Sequence, residues 1–292
     1  MVRLSRSILL SPRPRRFAML AMVAIMVVSL SALVAHARPL SVRVNRWLEL
    51  RNVSGTVDTL QSGQWQRAQL GQRLGTVGEG LRTGPGSLAR LAVDTQVGFV
   101  SVSENSAFTI TQLYTTPRGG KVTELDVPRG QVRVFVRRFT NPDARLDIRT
   151  PAGVNGVRGT DFGIAIQPSG RSALVVQEGI VASEAQGVSV PVNAGFQNFT
   201  IPGQPPSEPV PITEDPNLNL FRIQRQRRDG ISIVAIEGNT FPVNLLVIDD
   251  ETQEIDPEGN FKLELPLPED RRIEVAVVTP LGTTQVYELV VP

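Results

Sequence analysis

Between residues 87 and 193 the chain repeatedly alternates apolar and polar side chains, or runs apolar, for six to twelve residues, then breaks at glycine, proline, asparagine or serine. The segments are SLARLAV (87–93), VGFVSVS (97–103), AFTITQL (107–113), QVRVFV (131–136), RLDIRT (145–150), DFGIAIQ (161–167), SALVVQEGIVAS (172–183) and GVSVPVN (187–193). A period of two is the signature of half-buried strands. Turn residues separate the segments at Gly84-Pro85-Gly86, Pro117 to Gly120, Pro128-Arg129-Gly130, Asn141-Pro142-Asp143 and Pro168-Ser169-Gly170. No window of helical length after residue 37 carries an apolar face at 3.6-residue spacing. The pattern predicts an all-β domain over 47–200, either a sandwich or a short solenoid.

Residues 201–217, IPGQPPSEPVPITEDPN, hold six prolines in 17 residues and read as a semi-rigid extended linker. Beyond it, 218–292 alternates again in GISIVAIEG, PVNLLVID, FKLELPL, RIEVAVVTP and TTQVYELVVP. That length and strand number predict a small immunoglobulin-like sandwich.

The first 37 residues are of another kind. Arg3, Arg6, Arg13, Arg15 and Arg16 precede an uncharged apolar run from Phe17 to Ala35, and Ala35-His36-Ala37 offers a small-x-small cleavage site. This segment is expected to be an export signal, cleaved after Ala37, or an uncleaved single-span anchor. It also changes the charge picture. The whole chain carries 30 Lys and Arg against 28 Asp and Glu, but five of the arginines lie in this segment and no acid does. The remainder is near neutral, which removes the argument for a nucleic-acid partner. A membrane is expected to be met only through this segment.

Composition narrows the chemistry further. The single histidine is His36, there is no cysteine, and only Lys121 and Lys262 represent lysine. Histidine triads, thiol nucleophiles and common zinc sites are therefore not expected, and neither is a cofactor. The expectation is a protein that is not an enzyme.

One stretch stands out: TPAGVNGVRGTDFG, residues 150–163, with glycines at 153, 156, 159 and 163. It fits neither a dinucleotide loop nor a Walker loop, because the glycine spacing is wrong, no Gly-Lys-Ser/Thr occurs and no helix follows. Glycines here are expected to bend a sheet, with Phe162, Ile164 and Ile166 facing the core. Arg158 and Asp161 are expected to bridge across the turn as a clamp, or Arg158 to bond neighbouring carbonyls. The alternative is an Arg158 that meets a carboxylate or sugar on a partner. Trp47 and Trp65 are either packing residues or sugar-stacking platforms, and no aromatic strip is apparent. Arg222, Arg225, Arg227 and Arg228 suggest a charge-guarded strand edge or a contact for an anionic polymer. Asp249-Asp250-Glu251 with Asp256 and Glu258 fits no EF-hand loop and is expected to be an exposed acidic hairpin rather than a Ca²⁺ site.

With the strands placed, residues 47–202 resemble the FecR domain family. Trp65 followed by Gly78, Leu81, Arg82, Thr83 and Gly84 is similar to its N-terminal part, and ELDVPRGQVRVFV to its glycine-marked strand entry. Thr150-Pro151 with Val157-Arg158-Gly159-Thr160-Asp161-Phe162 resembles its most specific motif, and VVQEGIVAS and VNAGFQNFTIPG its closing strands. The resemblance implies an envelope domain that senses or binds. In members of the family that regulate sigma factors, a cytoplasmic segment precedes the span. Here only 16 residues precede the apolar run, so that segment is expected to be missing, and a regulator of sigma-factor-dependent iron-transport signalling is the lesser alternative. The leading expectation is an exported, non-enzymatic scaffold that contacts an envelope protein, with strand addition at a sheet edge as one mode. The alternative is a cell-wall or polysaccharide-binding module.

Overall fold

A computed structural model describes residues 46–292 except Gln96 and Asp229; the expected signal or anchor segment lies outside the described residues. Everything described belongs to one unit, Asn45–Pro292. It is all-β. The strands are β1 Leu48–Ser54, β2 Val57–Gln61, β3 Gln64–Arg67, β4 Arg73–Leu74, β5 Gly80–Thr83, β6 Leu88–Val93, β7 Gly98–Val102, β8 Ala107–Thr115, β9 Lys121–Val136, β10 Arg145–Arg149, β11 Val154–Val157 and β12 Asp161–Ile166. They continue as β13 Ser172–Glu178, β14 Ile180–Ala185, β15 Val188–Asn193, β16 Phe196–Thr200, β17 Val210–Pro211, β18 Asn219–Arg228, β19 Ile231–Asn239, β20 Leu245–Ile248, β21 Glu251–Gln253, β22 Asn260–Pro266, β23 Arg272–Val278 and β24 Thr284–Val290.

The first seventeen strands form two sheets that share β9. Sheet A runs β4-β1-β6-β7-β9-β12-β13-β16-β17. Sheet B runs β3-β2-β5-β8-β9-β10-β11-β14-β15, and its β9–β10 pair is parallel. The inward phase of each alternation meets between them. Val100, Val102, Val132, Val134, Phe162, Ile164 and Ile166 come from sheet A, and Leu81, Phe108, Ile110, Leu125 and Leu146 from sheet B. Phe108 and Phe162 are fully buried, and truncating either to Ala would cost about 3–5 kcal/mol.

Sharing is possible because β9 is sixteen residues long. Pro128-Arg129-Gly130 does not separate two strands, as its composition suggests; it is the crossing point within one. Residues up to Arg129 pair with β8, and Gly130 onward pairs with β12. The β8 ladder skips register around this point, which leaves Pro128 without a ladder bond to make. Gly130 has φ of +85°, and a Cβ there would lie 2.2 Å from Ser106 Oγ, so the bend needs glycine. Conversely, SALVVQEGIVAS is not one strand. Gly179, with φ of +83°, breaks it so that β13 joins sheet A and β14 sheet B.

Strands β18 to β24 make a three-stranded sheet, β18-β19-β22, and a four-stranded sheet, β21-β20-β23-β24. Their shared core includes Val234, Ile236, Leu246, Phe261, Ile273 and Val275. The proline-rich segment runs along the surface of sheet A: Val210–Pro211 pairs with β16, and Thr213 N donates to Gln197 Oε1 at 3.3 Å.

Candidate functional site

The glycine-rich stretch folds as two turns around β11. Thr150 holds the first: its Oγ1 accepts from Ala152 N at 3.3 Å and Gly153 N at 3.2 Å, while Pro151 sits exposed at the turn. Val157 then enters the core, and Gly159 takes φ of +145° where a Cβ would lie 2.4 Å from Arg138 Cα. Thr160 is buried and exchanges both backbone bonds with Val136. Phe162, Ile164 and Ile166 face the core, as the alternation predicts.

The charged pair is rearranged. Asp161 bonds Arg133 of β9, with Nε 3.0 Å from Oδ1 and Nη2 2.8 Å from Oδ2. Arg158 is exposed and makes no ion pair among the described residues. Arg158 sits in the turn before β12, whereas Arg133 lies on the adjacent strand and faces the same side as Asp161. The bond from Asp161 outweighs desolvation and raises the pKa of Arg133.

Register defines the face these residues share, the side of sheet A turned away from the core. One row across the strands is Glu49, Ala92, Phe99, Phe135 and Asp161. The next contains Arg90, Ser101, Arg133, Gly163 and Val175. On the β12–β13 side this face is covered by the C-terminal strands. Ala165 packs with Leu245, Val247 and Val278. A Cβ on Gly163 would lie 2.0 Å from Pro280 O, and Arg133 Nη1 donates to Leu281 O at 3.2 Å. Gln131 and Gln167 donate to the carbonyls of Thr279 and Asn244, each at 2.6 Å. Thus Asp161 and Gly163 build a seat for the C-terminal strands.

On the β1–β6–β7 side the same face is open. A groove of about 500 Å³ is lined by Trp47, Glu49, Arg73, Phe99, Phe135 and Arg137 among others. Phe135 is 39% exposed. Arg73 lies over the Trp47 ring and Arg90 over Phe99, each 4.3 Å from the centroid. Glu49 is buried and held by Arg73 at 2.9 Å and Arg51 at 3.1 Å. Asp94, also in the lining, is buried and paired with Arg46 at 2.8 Å and Lys121 at 3.6 Å. Arg90 and Arg137 have no carboxylate in ion-pair range among the described residues. The groove therefore combines apolar ring surface with cationic donors.

Sequence patterning passed over this aromatic row, yet it held a signal. In VGFVSVS and QVRVFV, Phe99 and Phe135 occupy the polar phase of the alternation, where an aromatic has no core to enter. The other anticipated residues are scattered. Trp65 lies in sheet B, 42% exposed, with Arg82 stacked 4.3 Å over its ring and bonded to Asp58 at 3.0 Å. Trp47, just before β1 of sheet A, and Trp65, in β3 of sheet B, are thus apart, and one face of each ring is occupied by a guanidinium. Arg222, Arg225, Arg227 and Arg228 line β18, which among the described residues is an edge strand paired with β19 alone. Asp249 and Asp250 form the two-residue turn of the β20–β21 hairpin at φ of +50° and +63°. Asp256 accepts from Asn260 N at 2.7 Å and Glu258 N at 3.0 Å. No group of three or more His, Cys, Asp or Glu placed to hold a metal occurs among the described residues.

No curated protein matches the chain. Two crystal structures of a candidate anti-sigma factor from Parabacteroides distasonis ATCC 8503, at 1.65 and 2.50 Å resolution, are similar at 14% identity and a TM-score of 0.38. Each likeness covers 50% of this chain and 68% of that one. The family model described as FecR protein matches residues 79–182, from just before β5 into β14, a narrower range than the motifs suggest. The chain carries a FecR domain.

Proposed function

We propose that this protein is a non-enzymatic binding scaffold of the bacterial cell envelope, exported by its N-terminal segment, whose FecR domain contacts a protein partner through the open half of sheet A. One observation carries the reading. Phe99 and Phe135 stand in the outward phase of a sheet face whose other half is already buried by the C-terminal strands. Exposed aromatics flanked by arginine are the residue types that dominate protein contacts. The apolar N-terminal run of the sequence and the FecR match support the envelope setting.

A polysaccharide-binding role is the second reading, resting on Trp47 and Trp65. It is weakened because Arg73 and Arg82 occupy ring faces that a sugar would need. Replacing Phe135 with photoreactive benzoylphenylalanine in the full chain, irradiating cells and isolating adducts tests the choice. Protein adducts that vanish in an Arg137→Glu background are expected. Adducts with glycan alone would overturn the protein reading.

A further inference from the structure

The open groove has a charge pattern that specifies more than its hydrophobicity does. Along β7, Ser101 and Phe99 are one two-residue step apart, so their rows are spaced by about 7 Å; Val97, just before β7, packs against the inner core. Arg90 stands opposite Ser101, and Phe135 opposite Phe99. Arg137 stands opposite Val97, to whose carbonyl its N–H donates at 3.0 Å. The outward face therefore reads cation, then aromatic pair, with Arg137 two residues beyond Phe135 as a second cation on the groove lining, just past the end of β9. The acids nearby are engaged: Glu49 by Arg51 and Arg73, Asp94 by Arg46 and Lys121. Arg90 and Arg137 are left with donors that meet no carboxylate among the described residues.

An extended chain laid along the strands points residues i, i+2 and i+4 to one side, with the same step. Carboxylates at i and i+4 meet Arg90 and Arg137, and an apolar side chain at i+2 meets Phe99 and Phe135. We infer that the groove binds an extended acidic segment of a partner protein with the spacing acid-x-apolar-x-acid. This rests on the protein-scaffold reading above and adds the chemistry of the bound segment. Arginine suits it better than lysine would, because a guanidinium can lie on an aromatic ring and still offer its edge to a carboxylate.

The test is fluorescence anisotropy of the full chain with labelled, glycine-flanked peptides EVFVE, EEFVV and KVFVK, beside a labelled oligogalacturonate as a carboxylated glycan. EVFVE is expected to bind most tightly, to weaken as salt is raised, and to lose about tenfold in affinity in each of Arg90→Glu, Arg137→Glu and Phe135→Ala. All three side chains lie outside the core, and circular dichroism with thermal melting checks that each variant remains folded. Equal binding of EVFVE and EEFVV would overturn the spacing. Binding of KVFVK, preference for oligogalacturonate, no binding of EVFVE, or indifference to the substitutions would overturn the acidic occupant. If Phe135 nevertheless cross-links to a neutral protein segment, the scaffold reading stands and this inference falls.

Discussion

Arg133 reaches diagonally across Gly163 to grip both carboxylate oxygens of Asp161, and its remaining nitrogen donates to Leu281 O. The absence of a side chain at Gly163 clears that path and also admits Pro280. Three residues of two neighbouring strands thus hold the loop between β23 and β24.

Asp161→Asn or Arg133→Ala should lower stability by about 1 kcal/mol, the modest figure that suits a pair partly open to water. Arg158→Ala should fall within about 0.5 kcal/mol of the parent. Urea denaturation midpoints distinguish the positions, and an equal cost at Arg158 would contradict the assignment of the clamp.

Gly163→Val places carbon where Pro280 O now lies, so the C-terminal strands must shift outward. A loss of about 1–3 kcal/mol is expected from overpacking. Faster proteolysis at Thr279–Gly282 in the variant would locate the damage. Unchanged cleavage there would mean that the seat is not what Gly163 provides.

Alternation disclosed most strands and the inward set, because a period of two survives in each short segment. It failed where one strand serves two sheets. Pro128 and Gly130 look like a turn in composition, yet β9 passes through them because each half finds partners far away in sequence. The Arg158–Asp161 pairing failed for a related reason: sequence proximity says nothing about Arg133, 28 residues away. Phe99 and Phe135 were legible as misfits in the polar phase, but their adjacency depends on the β7–β9 register. The C-terminal seat was not legible, since small residues such as Gly163 and Ala165 give no signal about what lies on them.

Arg46 is buried beside Asp94 and also donates to Tyr114 O at 3.0 Å, Thr123 Oγ1 at 2.8 Å and Val122 O. Arg46→Ala strands a buried carboxylate whose remaining cation, Lys121, lies 3.6 Å away. A cost of about 3 kcal/mol is expected, at the low end for a broken buried pair. Arg46→Lys should recover little of it, because lysine lacks the fork that serves four acceptors at once. Chemical denaturation of both variants checks this, and full rescue by lysine would refute it.

Burial raises the pKa of Asp147 above the ordinary 3.8, with Glu124 and Glu184 adding to the push and Arg145 opposing it. The native state then binds this proton more readily than the unfolded chain does. Its charged form is disfavoured by folding, so this residue's contribution to stability declines as pH rises through the window above 3.8. Asp147→Asn should be more stable than the parent near neutral pH, with the gap closing as pH falls toward about 4. Melting both proteins across that range is the check; a gap that widens on acidification would reverse the sign.

The strand order carries a practical consequence for anyone isolating the FecR domain. A fragment cut at 79 and 182 would lose β1, which covers the edge of β6, and β16, which covers the edge of β13. Both exposed edges are rich in valine, leucine and alanine, and bare edges of that kind recruit other chains. Such a fragment should be expressed as aggregate, whereas a cut that retains Arg46 at one end and Thr200 at the other keeps both borders paired.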